Sequence, residues 1–137
     1  MKLDSSAFVA DPELIRALEA RSTPIQCEED QVLFKQGDPP AGVYVLRAGD
    51  ARLSMISPRG DVLMSMPVTK GAVMGLPALV GNQPYSLSAS ACKGAELAFV
   101  SREEFSLMML NEPTLSMCVL RVLAAEVRTA RYAISDL

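Results

Sequence analysis

From about residue 24 to residue 100, short runs rich in Val, Leu, Met and Ile alternate with Gly, Pro and Asp turns. The runs are Gln31–Lys35, Val43–Arg47, Ala51–Ser57, Val62–Val68, Leu87–Cys92 and Leu97–Val100. Gly37-Asp38, Gly49-Asp50, Pro58-Arg59-Gly60-Asp61 and Lys93-Gly94 punctuate them. Apolar positions alternate in Val43-Tyr44-Val45-Leu46 and at Met64, Met66 and Val68. Many short strands at this spacing predict a sandwich, jelly roll or small barrel. Ahead of them, residues 11–21 read as a short helix. Asp11 is placed to cap it, Pro12 fits the first helical position, and Leu14, Ile15 and Leu18 form an apolar face.

After Val100 the pattern is helical. Ser101-Arg102-Glu103-Glu104 has the form of a capping box, a hydroxyl at the cap with a carboxylate three residues later, and opens a helix over 101–110. Asn111 is read as the cap of a second helix over 112–135, with Pro113 in its first turn. Its first half is apolar on most sides (Leu115, Cys118, Val119, Leu120, Val122, Leu123), as expected of a helix packed on a sheet. Its second half keeps a narrow stripe of Leu120, Leu123, Val127, Ala130, Ile134 and Leu137, spaced 3, 4, 3, 4, 3. That is the seam of a two-helix coiled coil. The stripe has two readings, packing on the protein's own strands or a homodimer seam. The dimer is favoured because the last turns run past where the strands reach.

The 137 residues suit one domain over 1–137. Thirteen basic and sixteen acidic side chains leave a net charge of −3, the wrong sign for a nucleic-acid binder, and no Lys/Arg cluster offsets it. There is no histidine, which removes His-ligated metals and the usual acid–base and nucleophile pairs. Glu28-Glu29-Asp30 and Glu103-Glu104 read as solvated charges, so no enzyme is expected. Cys27, Cys92 and Cys118 are odd in number and widely spaced, which suits free thiols in a reducing cytosol. Without a signal segment or an apolar run near the ~20 residues that span a bilayer, the reading is a cytoplasmic domain with no membrane partner and no metal.

The order of helix, strands and two helices, with glycines at fixed offsets, resembles the cyclic-nucleotide-binding domain of the catabolite activator protein and fumarate-nitrate regulator (Crp/Fnr) family. Leu33-Phe34-Lys35-Gln36-Gly37-Asp38 matches the family's Gly-Asp turn. Val43-Tyr44-Val45-Leu46-Arg47-Ala48-Gly49 matches its Tyr-x-Leu-x-x-Gly strand, and Gly71-Ala72-Val73-Met74-Gly75 follows in order. The resemblance implies a mainly β fold: a double-stranded β-helix, the cupin-like jelly roll, over 24–100 with flanking helices. It also implies a phosphate-binding cassette starting at Gly75, which leads into the helix-like turn Leu76-Pro77-Ala78-Leu79.

The cassette departs from the family pattern at its charged positions. Leu76 stands where the family has the carboxylate for the ribose hydroxyl, and Tyr85, between Pro84 and Ser86, where it has the arginine for the phosphate. Gly75, Ala78, Leu79, Pro84 and Ser86 match, and Pro77 removes one N–H from the turn. A hydrogen bond to a charged group contributes about 1.5–3 kcal/mol. Losing two predicts roughly 10²–10⁴-fold weaker nucleotide binding. Lys70, Lys93 and Arg52 are the nearest cations in sequence, and nothing in the sequence places them in the pocket. Leu76, Leu79 and Tyr85, with several of Met55, Met64, Met66 and Met74, would give an apolar lining with one hydroxyl. Thr129 matches the place where family members reach the base.

The resulting reading is a regulatory or sensor module, dimeric through its long helix, with weak or no cAMP or cGMP binding. No cofactor is assigned, and the effector is left open as a small apolar or nucleotide-like molecule. The alternatives are a ligand-free dimerisation or docking module, or the effector domain of a Crp/Fnr-type transcription regulator lacking its helix-turn-helix. Family transcription factors continue into a helix-turn-helix after the long helix. This sequence stops at Leu137, so it is read as carrying no DNA-binding domain and contacting no nucleic acid itself.

Overall fold

Alternation along the strands gives each of two sheets a face turned to a shared interior. A computed structural model describes residues 5–135, with side chains from Ala7 to Arg128. A 3₁₀ turn at Ser5–Phe8 precedes α1 (Pro12–Ala20). Then come β1 (Thr23–Gln26), β2 (Gln31–Phe34), β3 (Gly42–Ala48), β4 (Ala51–Ile56), β5 (Val62–Val68) and β6 (Val73–Met74). After these follow α2 (Leu76–Gly81), β7 (Ser88–Ala91), β8 (Glu96–Ser101), α3 (Arg102–Asn111) and α4 (Leu115–Ser135). The sheets have the orders β1-β8-β3-β6 and β2-β7-β4-β5, with antiparallel pairing throughout. This is the expected jelly roll with flanking helices.

The six apolar runs correspond to β2, β3, β4, β5, β7 and β8. The sequence pattern did not announce β1 or β6. β1 is Thr-Pro-Ile-Gln at a sheet edge, where Pro24 sits opposite Ala98 and its missing N–H is tolerated. β6 is two residues long and held by pairing with Tyr44 and Val45.

Burial divides into two layers. Phe34, Leu46, Leu53, Met66, Met74, Tyr85 and Leu97 belong to the inner core between the sheets. On the outer face of the first sheet, Val43, Val45, Val73, Ala98 and Val100 pack with Leu14 and Leu18 of α1. Phe105 and Met108 of α3 and Leu115, Cys118, Val119 and Val122 of α4 complete that layer.

Three helix starts differ from expectation. Asp11 stands at the N-cap of α1 but its side chain makes no capping bond. Its Oδ2 instead accepts from Arg121 at 2.9 Å, tying α1 to α4. Asn111 is the last residue of α3, not the cap of α4. Glu112 N–H still bonds to the Met108 carbonyl at 2.8 Å, so α3 runs through Asn111. Pro113 then forces Glu112 out of the helical region, to φ −130° and ψ 67°. The carbonyls of Glu112 and Pro113 accept from Leu115 and Ser116 at 3.0 and 3.1 Å, and α4 begins there. The capping box of α3 forms by half: Ser101 Oγ accepts from Glu104 N–H at 3.2 Å, while the Glu104 carboxylate lies 3.8 Å from Arg21.

The stripe on α4 divides. Leu120 and Val127 are exposed, at 55% and 54%, together with Met117 and Ala124. Leu123 is half-buried and packs on the outer core, because it sits one turn beyond Val119. The side chains of Thr129, Ala130 and Ile134, and the whole of Leu137, lie outside the described residues.

Candidate binding site

The cassette is built on Gly75. β6 ends at Met74, and Gly75 adopts φ +95° to turn the chain into α2. A Cβ there would lie 3.0 Å from Tyr85 Cε1 and 3.2 Å from the Gly42 carbonyl oxygen, so glycine is required by both conformation and space. The helix is short, has Pro77 in its first turn, and ends at Asn82, which is left-handed with φ 51°. Asn82 Oδ1 accepts from Arg102 Nη2, fixing the end of α2 to the start of α3.

The loop that follows is clamped to the Gly37-Asp38 turn. Tyr85 N–H donates to the Asp38 carbonyl at 3.0 Å, and Gly37 N–H donates to the Tyr85 carbonyl at 2.8 Å. Asp38 Oδ2 closes its own turn by accepting from Lys35 N–H at 3.2 Å. These bonds point the Tyr85 side chain into the roll, where it is 3% exposed. Its ring stacks on Phe34, with centroids 3.9 Å apart and planes 16° from parallel. The phenol oxygen accepts from the N–H groups of Ala41 and Gly42, at 3.0 and 3.1 Å, and donates to the Gly42 carbonyl at 2.7 Å. The hydroxyl read from sequence as a handle for an effector is thus occupied by backbone.

The remaining cassette residues separate. Ala78, Met66 and Met74 share the inner core with Tyr85. Leu76 and Leu79 face the other way, into the layer between the first sheet and the helices, so the structure does not bring them together with Tyr85. Pro77, Pro84 and Ser86 are exposed. Met55 and Met64 face each other across β4 and β5, the first exposed and the second half-buried. Lys70, Lys93 and Arg52 are exposed, and Arg52 Nε donates to Ser65 Oγ at 2.9 Å.

Sequence reasoning missed the partners of Tyr85. Phe34 was visible as a strand residue leading into the Gly37-Asp38 turn, not as a partner of Tyr85, and the Ala41–Gly42 cradle left no signal. A cleft of about 700 Å³ between α1 and strands β1, β8 and β3 was also unannounced. Its lining includes Ile15, Glu19, Ile25, Arg47, Lys70 and Glu96, with Glu19 and Arg47 paired at 3.4 Å. Of the thiols, Cys27 and Cys118 are buried and Cys92 half-buried; burial pushes those of Cys27 and Cys118 up, away from the reactive thiolate. Among the described residues no three His, Cys, Asp or Glu side chains cluster to hold a metal, and no helix is long and apolar enough to cross a membrane.

The chain is similar in structure to the catabolite activator protein of Thermus thermophilus, with a TM-score of 0.78 and 21% identity over 91% of this chain. It spans 59% of that protein's length. It is also similar to the N-terminal domain of a transcriptional regulator from Streptomyces coelicolor A3(2), with a TM-score of 0.68, 23% identity, and coverage of 98% of this chain and 93% of that one. The sensor domain of the transcriptional regulator DNR from Pseudomonas aeruginosa matches with a TM-score of 0.67 and 18% identity, covering 93% of this chain and 83% of that one. No curated protein sequence matches. The model of the cyclic nucleotide-binding domain matches residues 24–112, which is more than half of the chain. With the jelly roll, the Gly75 cassette and the terminal helices in their family order, the chain belongs to the cyclic nucleotide-binding domain family.

Proposed function

We propose that this chain is a regulatory module whose cassette is closed by its own Tyr85, so that it binds cAMP and cGMP weakly or not at all. The observation that carries the reading is the buried phenol, stacked on Phe34 and hydrogen-bonded three times to Ala41 and Gly42. A cyclic phosphate entering here finds Tyr85 in place of an arginine and has to displace a satisfied tyrosine. Each buried polar group left without its partner costs about 1–3 kcal/mol. An anion brought in without a counter-charge adds its own desolvation. The module acts by binding, not by catalysis. Its output is regulatory, like that of the activator and transcriptional regulators it resembles in fold.

The module assembles as a homodimer through α4. Met117, Leu120, Ala124 and Val127 are exposed on one side of the helix and spaced 3, 4, 3. That spacing is the interval of a two-helix seam. The same Tyr85 also supports a second reading, in which the roll holds no effector and serves dimerisation or docking alone. Sedimentation equilibrium tests the assembly. Wild type is expected to sediment as a dimer and Leu120→Asp as a monomer, and a monomeric wild type overturns the seam. Calorimetric titration with small apolar molecules separates the two readings of the roll. Saturable heat favours an effector, and none favours a docking module.

A further inference from the structure

The inward face of α4 is apolar through Leu115, Cys118, Val119 and Val122, all buried, and the next turn of that face brings up Glu126. Glu126 is half-buried; its Oε2 is shut off from solvent and, among the described residues, has no hydrogen-bond partner. Its neighbour Ala125 packs on the inner core cluster that includes Ala7 and Phe8 of the 3₁₀ turn. That turn and α1 are packed against α4. The turn, Ser-Ser-Ala-Phe, carries no charge. From α1, Asp11 is bonded to Arg121, and Glu13 Oε2 lies 3.9 Å from Cys118 Sγ. On α4 itself, Arg121 is engaged by Asp11 and Arg128 is exposed. A carboxyl oxygen shut off from water and without a donor favours the neutral form of the group.

We propose that Glu126 is a proton-operated catch. Protonated, it lets the C-terminal half of α4 seat against the 3₁₀ turn and the roll; ionised, it favours release of that half. This goes beyond the reading of the cassette and does not depend on what the roll binds. Burial raises the Glu126 carboxyl from 4.5 to about 8, with no charged neighbour among the described residues contributing. The sign follows from linkage. Seating is strongest below the unseated value and weakens about tenfold per pH unit as pH rises towards about 8.

Amide hydrogen exchange of residues 123–135 in the full chain, normalised for intrinsic rates, tests the catch. Between pH 5.5 and 7.5 wild type is expected to lose about 100-fold in protection, while Glu126→Gln loses none. Equal losses in both proteins, or no loss in wild type, overturn the proposal. A ¹³C titration of the Glu126 carboxyl in wild type keeps the test independent of how the variant folds. A midpoint near 8 supports the catch, and one near 4.5 refutes it.

Discussion

Replacing Tyr85 with Phe removes one atom from the closed cassette and leaves the rest. The ring stays 3% exposed and keeps its stack on Phe34 at 3.9 Å. What disappears is the oxygen that accepts from Ala41 and Gly42 and donates to the Gly42 carbonyl. Three backbone groups then lose their partner in a region built around the phenol. At about 1–3 kcal/mol for each group left dry, and allowing a water to recover part of that, the expected loss is about 3 kcal/mol. For a chain of this length that is a fall of about 10 °C in melting temperature. Urea unfolding at matched m-value is the assay. Tyr44→Phe is the control, since its hydroxyl is half-buried and makes one bond of 3.3 Å to the Leu33 carbonyl. That variant is expected to lose less than about 1 kcal/mol. If Tyr85→Phe costs no more than Tyr44→Phe, the hydroxyl does not hold the cassette shut.

Gly75→Ala combines a forbidden φ with a Cβ placed 3.0 Å from Tyr85, and is expected to destabilise by about 1–3 kcal/mol in the same urea assay. Leu76→Glu does not simply restore a family carboxylate, because Leu76 is fully buried against the helices. Calorimetry of its unfolding is expected to show a loss of about 3 kcal/mol or more at pH 7, with recovery at acid pH as the carboxyl protonates. For Glu126, a folded-state value raised from 4.5 to about 8 makes stability complete below 4.5 and lost as pH climbs towards 8. Glu126→Gln is therefore expected to be more stable than wild type by up to about 3 kcal/mol at pH 7, with the two curves meeting near pH 4, as read from unfolding midpoints across pH.

The roll was legible because its major strands meet apolar neighbours, on both sides in β3 and on one side in β5, and Val43–Leu46 and Met64–Val68 carry those two patterns in their residues. β1 was not, since Thr23-Pro24-Ile25-Gln26 takes its place from pairing with β8 rather than from its own preference. At Asn111 a local cap signal competed with the pull of Met108's carbonyl on Glu112 and lost. The exchange of the cassette's charged residues for Leu76 and Tyr85 could be read directly. The cradle for the phenol could not, because it joins groups 43 and 44 residues apart in the chain. Nor could the opposite headings of Leu76 and Tyr85, which depend on which side of the sheet α2 settles. Glu126 gives no signal in the sequence, because a carboxylate on a helix with Arg121 and Arg128 reads as solvated and only the packing of α4 on the 3₁₀ turn encloses it.

The most direct test of the closed cassette is a thermal melt of the chain with and without about millimolar cAMP or cGMP. A ligand present at 100 times its dissociation constant adds about 2.7 kcal/mol, which moves a midpoint by several degrees. No shift is expected with either nucleotide. A shift of several degrees would mean that Tyr85 yields its place readily and that the cassette is open to cyclic nucleotides after all.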